Sequence, residues 1–424
     1  MRNFITILVI AVACYFGYRA FSDGGGTTPN PLENSDHELV GRTGPGEGDP
    51  TDTITSGGIL GERNELNLGN GNLADSELDE ATLREANAKL GEDATTPAKG
   101  EIETLEKSLR DSSPPQMDEE RLRLATLYRR ANRSADADEH FELIYRGRGP
   151  LAAKAAAALL ERASGEAQIE YAAFVIDHGP EAAGYGVAAL IQGKELAEKS
   201  EEAAQMKAWR LLSDAYFSRS EESWRAPIRN ILEPIANRWF LSVRPCSLTS
   251  SYTVQSGDYL ARIADEHKTT VDQLRALNGI EGDLIHEGDR FKILNREITV
   301  VVDKSEFRLD VRYDGGYLMS FPVGHGSEGR TPTTTFEVNL RQEHPTWFPA
   351  NRPSVPYGDP GNPLGERWLG FAAADGFKGF GIHGTNQPST IGTEASEGCV
   401  RLQNEHVIRL YPYISLGTKV TILE

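Results

Sequence analysis

The sequence predicts a multidomain protein. A mostly β C-terminal domain, built as a sandwich or barrel, follows a small βααβ module, and an α-helical domain precedes both. An N-terminal apolar segment is joined to them by a disordered tether. Three observations predict this. Apolar residues recur at helical spacing from Met117 to about Leu241, then alternate or run at strand spacing from Glu297 onward. Between Ser22 and Pro115 neither period exists. And 424 residues are too many for one ordinary core and fit about three units.

The N-terminus opens with Arg2 and an apolar run from Phe4 to Tyr18, extended by Ala20 and Phe21. At about 18 residues this is near the lower limit for a spanning helix. Residues 1–21 are therefore expected to be a membrane anchor or signal segment. A cleaved signal and a lipoprotein signal at Ala11-Val12-Ala13-Cys14 are the competing readings. All three place the rest of the chain outside the cytoplasm, in the periplasm or cell wall, with the anchor in the inner membrane.

Residues 22–115 hold 20 acidic against 7 basic residues and almost no aromatics, so they account for most of the net charge of -19. Such a stretch buries too little apolar surface to offset its chain entropy and is expected to be a disordered acidic linker, with one short helix near Asp75 to Lys89. Its typical span is about 50 Å. No basic patch with interleaved aromatics exists, which excludes nucleic acid as a partner.

Residues 116–245 form the helical domain. Leu124, Leu127 and Tyr128, then Phe141, Ile144 and Tyr145, recur at helical spacing, while Pro150, Gly165, Gly179-Pro180 and Gly193 fall where helices should end. Leu124-Ala-Thr-Leu-Tyr128 and Leu211-Leu-Ser-Asp-Ala-Tyr216 resemble the first helix of a tetratricopeptide hairpin, although no 34-residue period survives. A spacing role or contact with a protein partner is expected.

Residues 251–295 read as strand, two helices and strand. Tyr252-Thr-Val254 leads into a turn at Gly257-Asp258, Tyr259 to His267 has helical spacing, Thr270 caps a second helix, and Leu284 to Ile293 returns as a strand. With Ile263-Ala264, Leu274, Asn278 and Gly288, this resembles a lysin motif (LysM) domain. The resemblance implies binding of glycan strands such as those of peptidoglycan, in a groove between the first strand–helix turn and the second helix–strand turn.

Residues 297–424 are rich in strand signals: 298–302, 307–311, a hairpin turn at Asp314-Gly315-Gly316 returning through 317–323, then 335–338, 368–371, 380–383 and 419–423. One helix runs from Asn404 to about Tyr413, with Asn404 as its cap. Chemistry concentrates in Gly381-Ile-His-Gly-Thr-Asn386 and Ser396-Glu-Gly-Cys-Val-Arg-Leu402. A thiol with a pKa near about 8.5 is only a few per cent ionised at neutral pH. A histidine beside it raises reactivity and returns the proton to a leaving amine. Gly398 permits a tight turn that could aim amides at an oxyanion. The two exported cysteines, Cys246 and Cys399, could instead form a disulfide. His325, His344 and His406 lack paired metal-ligand spacing, so neither a metal nor any other cofactor is expected.

The words around His383 and Cys399 decide. His-Gly-Thr-Asn, a spacer, Ser-x-Gly-Cys-hydrophobic-Arg, and the Asn404 helix ending in Leu410-Tyr411 resemble the L,D-transpeptidase catalytic domain family. So does Arg330-Thr-Pro-Thr-Thr-Thr-Phe336, with Thr334 where the family has glycine. The resemblance implies Cys399 as nucleophile, His383 as general base and acid, and the Gly384 carbonyl as holder of the imidazole. Ser396, Gly398 and Arg401 are implied as supports of site and substrate. The implied reaction is a cysteine-dependent acyl transfer on peptidoglycan stem peptides that releases D-Ala and forms 3→3 cross-links. Hydrolysis by an L,D-carboxypeptidase, attachment of a protein to the wall, and a non-catalytic wall-binding scaffold are the alternatives. Glu397 stands where many members have histidine.

Overall fold

The computed structural model describes residues 99–112, 116–218, 224–349 and 352–424. The membrane anchor or signal expected at 1–21 lies outside the described residues, as do the helix near Asp75 to Lys89 and most of the linker. Among the described residues no helix is long and apolar enough to cross a membrane.

The linker ends earlier than its composition implied. Helix α1 (Lys99–Asp111) falls inside the stretch expected to be disordered. The reason is a stripe of Ile102, Leu105 and Leu109 that packs on α2 (Gln116–Arg130), with Ile102 buried. Arg123 pairs with Glu101 at 2.9 Å, and Ser108 donates to Glu120 at 3.0 Å. The many acidic residues hid a short amphipathic helix.

Six further helices follow: α3 (Ser134–Gly147), α4 (Ala152–Leu160), α5 (Gly165–Asp177), α6 (Tyr185–Ala197), α7 (Glu202–Phe217) and α8 (Arg225–Trp239). Each packs on the next in sequence. Gly193, expected to end a helix, lies inside α6 instead. The Leu212 side chain of α7 fills the space a Cβ would need, so the glycine serves close helix packing.

The βααβ module consists of β1 (Ser250–Thr253), α9 (Leu260–Glu266), α10 (Val271–Asn278) and β2 (Arg290–Ile293), with β1 antiparallel to β2. Thr270 caps α10 by accepting from Gln273 N at 2.9 Å. Residues 284–289 do not begin the second strand as expected. Asp289 Oδ2 accepts from His286 N at 2.8 Å and Gly288 has φ +91°, which makes a turn and leaves Leu284 exposed.

The C-terminal domain is one mixed sheet of eight strands rather than two facing sheets. Its order is β11 (Val400–Arg401), β9 (Gly381–His383), β8 (Arg367–Phe371), β7 (Thr335–Glu343), β12 (Lys419–Leu423), β3 (Ile298–Asp303), β4 (Arg308–Tyr313) and β5 (Gly316–Pro322). β12–β3 and β11–β9 are parallel pairs, and the other neighbours are antiparallel. Just past β5, Gly324 exchanges backbone hydrogen bonds with Arg401 of β11 at 2.8 and 2.9 Å. The two ends of the sheet order thus meet, and the sheet curls into a partly closed barrel. A separate parallel pair joins β6 (His325–Gly326) to β10 (Glu394–Ser396). Helix α11 (Asn404–Leu410) follows β11 and runs into a 3-10 turn, Tyr411–Tyr413.

The β4–β5 hairpin is buried against α7 and α8. Trp209 of α7 donates Nε1 to Tyr317 O at 2.7 Å, Ser213 Oγ accepts from Tyr317 N at 3.0 Å, and Tyr216 OH donates to Asp310 at 3.0 Å. Trp209, Leu212, Tyr216, Tyr313 and Tyr317 are fully buried in one continuous core. The βααβ module is locked in as well. Lys292 of β2 is buried and donates Nζ to the carbonyls of Trp239 and Ser242 at 2.8 and 2.7 Å, placing a cation on the C-terminal carbonyls of α8. Thr270 Oγ1 donates to Pro412 O at 2.5 Å, and Arg341 pairs with Asp272 at 3.3 Å.

Because helices and sheet share a core, Trp209→Ala should destabilise both together by about 3–5 kcal/mol. Urea unfolding followed by circular dichroism should show one transition, shifted to lower denaturant. Two transitions in the unaltered protein, with only one moved by the substitution, would contradict a shared core.

Candidate active site

His383 closes β9, and Cys399 sits in the turn between β10 and β11. The parallel register pairs Ile382 with Val400 and His383 with Arg401, and Leu402 N donates to His383 O at 2.8 Å. The 16-residue separation in sequence is thereby reduced to neighbouring strands. Both side chains line one cleft of about 690 Å³, together with Arg401, Glu397, Trp368 and Lys378.

The turn carrying Cys399 is tied on both sides. Ser396 is buried; its Oγ donates to Cys399 O at 2.7 Å and accepts from Gly398 N at 3.0 Å. Gly398 has φ +133°, and a Cβ there would stand 2.6 Å from the Phe380 ring and 3.0 Å from Arg330 O. Thr331, also buried, donates to Gly398 O at 2.8 Å and accepts from Gly326 N at 2.7 Å. Ser396 and Gly398, expected beside the substrate, have these polar groups engaged within the protein. In particular the Gly398 N–H is held by Ser396 Oγ. Arg401 is half-buried and lines the cleft.

His383 is buried, and its Nδ1 lies 2.6 Å from Gly384 O. A carbonyl can only accept, so Nδ1 carries the proton and Nε2 keeps its lone pair. Burial pushes the imidazole pKa down to about 4; the Gly384 carbonyl opposes this, and the Arg401 charge adds to it. Trp368, the register partner of His383 on β8, lies against it with ring centroids 5.6 Å apart and planes tilted by 33°.

Burial likewise pushes the Cys399 thiol up to about 11; the Gly381 N–H and Arg401 pull it down, and Glu397 raises it. The resting pair is therefore thiol and neutral imidazole, not an ion pair. Cys246 and Cys399 are both free thiols, so the alternative disulfide is not formed. Cys246 is buried in the core behind the βααβ module.

Three contributors were not singled out from sequence. Thr331 was visible only as part of a family word. Trp368 read as a strand residue. Asn404 was expected to cap its helix, but the N-cap is Gln403, and Asn404 Oδ1 accepts from Thr385 N at 3.0 Å and Glu366 N at 3.3 Å. It fixes the backbone just beyond His383. His325 is buried with Nε2 3.1 Å from Lys304 O, His344 faces Glu366, and His406 lies beside Glu405. Among the described residues no three His, Cys, Asp or Glu side chains are grouped to hold a metal.

Two stretches of the chain match known protein families. Residues 297–422 match the profile of the L,D-transpeptidase catalytic domain, and residues 252–293 that of the LysM domain. YqjB of Bacillus subtilis, provisionally named an L,D-transpeptidase, is 35% identical over 142 residues, covering 32% of this chain and 73% of that protein. YkuD of Bacillus licheniformis, named in the same way, is 30% identical over 182 residues, covering 40% of this chain and 97% of its own. Among solved structures, an L,D-transpeptidase from Mycobacterium smegmatis aligns with a TM-score of 0.25 at 18% identity, over 32% of this chain and 64% of that one.

The pH dependence of the pair follows from its burial. A raised thiol pKa means that Cys399 alkylation by iodoacetamide keeps accelerating toward about pH 11. A plateau near about pH 8.5, the free-thiol value, would show that burial does not govern this thiol. For His383 the folded pKa lies below the unfolded one, so the unfolded chain binds more protons between them. Its contribution to stability should be complete above about pH 6.5 and lost as pH falls toward about 4. Urea midpoints of the native protein and of His383→Gln, compared across that window, check the sign.

Proposed function

This chain belongs to the L,D-transpeptidase catalytic domain family, and on that premise we propose that it cross-links peptidoglycan through a Cys399 acyl-enzyme. The observation that carries the reading is the free thiol in one cleft with a neutral imidazole whose Nδ1 is committed to Gly384 O. Cys399 passes its proton to His383 Nε2 as its sulfur attacks the carbonyl between the diamino acid and the terminal D-Ala of a tetrapeptide stem. Arg401, whose charge is felt by both groups, opposes the negative charge that builds at sulfur and carbonyl oxygen. The C–N bond breaks, His383 returns the proton to the leaving amine, and D-Ala departs. An amine of a second stem then takes the acyl group, giving a 3→3 cross-link and restoring the thiol.

The LysM domain supports binding of glycan strands, and with it a position outside the cytoplasm at the wall. The apolar segment at 4–21 supports attachment of the chain to a membrane. The succession of packed helices supports a tetratricopeptide-like scaffold with a protein partner.

Purified protein given tetrapeptide-containing muropeptides should release D-Ala and form dimers. Cys399→Ser should lower that rate by more than about a thousandfold, because one imidazole ionises a hydroxyl far less readily than a thiol. Intact-mass spectrometry after carbapenem treatment should place the adduct on Cys399. Undiminished D-Ala release by the serine variant, or an adduct on Cys246, would overturn the assignment.

Two exposed apolar side chains, Tyr259 and Leu284, stand on the two turns of the LysM domain. Replacing both by serine should weaken retention on insoluble peptidoglycan several-fold. Equal retention in a sedimentation assay would place the glycan contact elsewhere.

A further inference from the structure

Glu397 contributes the one acidic side chain that lines the cleft. It stands two residues before the nucleophile and is exposed, with no hydrogen bond or ion pair to any described residue. The cations of the cleft, Arg401 and Lys378, suit the terminal carboxylate of a donor stem. Glu397 suits neither that carboxylate nor the thiolate, since its charge disfavours an anion at Cys399. In the first half of the reaction an anion here is a hindrance. Once Cys399 is acylated the situation reverses. The thioester sulfur is uncharged, and the incoming group, an aliphatic amine, arrives from neutral solution as an ammonium ion.

We propose that Glu397 selects the acceptor: its carboxylate gathers cationic amines at the face of the acyl-thioester and so biases the enzyme toward cross-linking over hydrolysis. This rests on the acyl-transfer reading above. The ammonium held by Glu397 gives one proton to solvent, and its nitrogen lone pair attacks the thioester carbonyl. The C–N bond forms as the C–S bond breaks, and the second proton passes through His383 to the departing sulfur. Amide and thiol are the products, and no further reactant is needed. Water, being neutral, is not concentrated by the carboxylate as an ammonium ion is, so once the acyl-enzyme has formed the residue shifts its partition toward amines.

The test measures partition of one acyl-enzyme, which makes it independent of how fast that intermediate forms. The full chain is acylated with a tetrapeptide stem near neutral pH and offered Nα-acetyl-lysine amide, whose ε-amine is cationic, or hydroxylamine, which is neutral. For Glu397→Gln the ratio of lysine adduct to hydrolysis should fall about fivefold, the upper end expected for one ion pair at a wet surface. Glu397→Lys should lower it further, Glu397→Asp should restore most of it, and added salt should depress the wild-type ratio but not that of Glu397→Gln. The hydroxylamine ratio should move by less than about twofold throughout. A lysine ratio unchanged in Glu397→Gln, or a hydroxylamine ratio that falls equally, would overturn the proposal. Absence of D-Ala release from the wild-type protein would instead overturn the acyl-transfer reading on which it rests.

Discussion

Everything at the site depends on the two-residue strand β11. Val400 and Arg401 pair in parallel with β9, which sets the Cys399 turn beside His383, and Arg401 also bonds backbone to backbone with Gly324 beyond β5. A strand this short cannot hold its register by its own ladder. It is fixed because the sheet curls back on itself and pins β11 from both sides. Cys399 therefore takes its position from sheet closure, in place of the flexibility usual in a loop.

That closure would fail if the turn before β11 could relax. Ser396 spans the turn internally, and Thr331 ties Gly398 O to Gly326 N from the far side. Lys304, buried near them, donates to Thr331 O at 3.3 Å and to Glu424 at 3.1 Å. These polar groups satisfy one another in the interior, which is the condition under which a buried network rigidifies. Gly398 completes the arrangement, since Phe380 and Arg330 leave no room for a side chain. Ser396 and Gly398 thus hold the geometry of the Cys399 turn.

The long strands were legible because they repeat a pattern: β3, β4, β5, β8, β12 and the first half of β7 fall on the runs read from apolar spacing, while the three-residue β9 lies within the stretch read at 380–383. β6, β10 and β11 were not, since two or three residues are too few to show a period, and they are the strands that frame Cys399. His383 and Cys399 were legible for a different reason, the words around them. The uses of their neighbours were not. Asn404 precedes a helix and carries a capping side chain, so a local rule assigned it to the cap; the fold spends it on the loop after His383. Helix α1 was hidden by an acidic composition that described its surroundings better than itself. Gly193 was read as a stop because sequence cannot show Leu212 packed against it.

In the proposed reaction, the electrostatics of the cleft explain how a half-buried thiol and a buried imidazole can work together. Each alone is shifted toward its neutral form, which would leave both inert if charge had to be present before reaction. The proton need not move in advance. In the proposed reaction sulfur loses it as a carbonyl is attacked, and the Arg401 cation and Gly381 N–H favour the anionic sulfur at that moment. Arg401 simultaneously disfavours protonated His383, so the imidazolium is short-lived and readily gives its proton to the leaving amine. An ion pair formed at rest would stabilise the starting state, and only stabilisation specific to the transition state accelerates the step. On the proposed mechanism, two partners that are neutral until substrate arrives leave the fixed charge of Arg401 to act where the barrier lies.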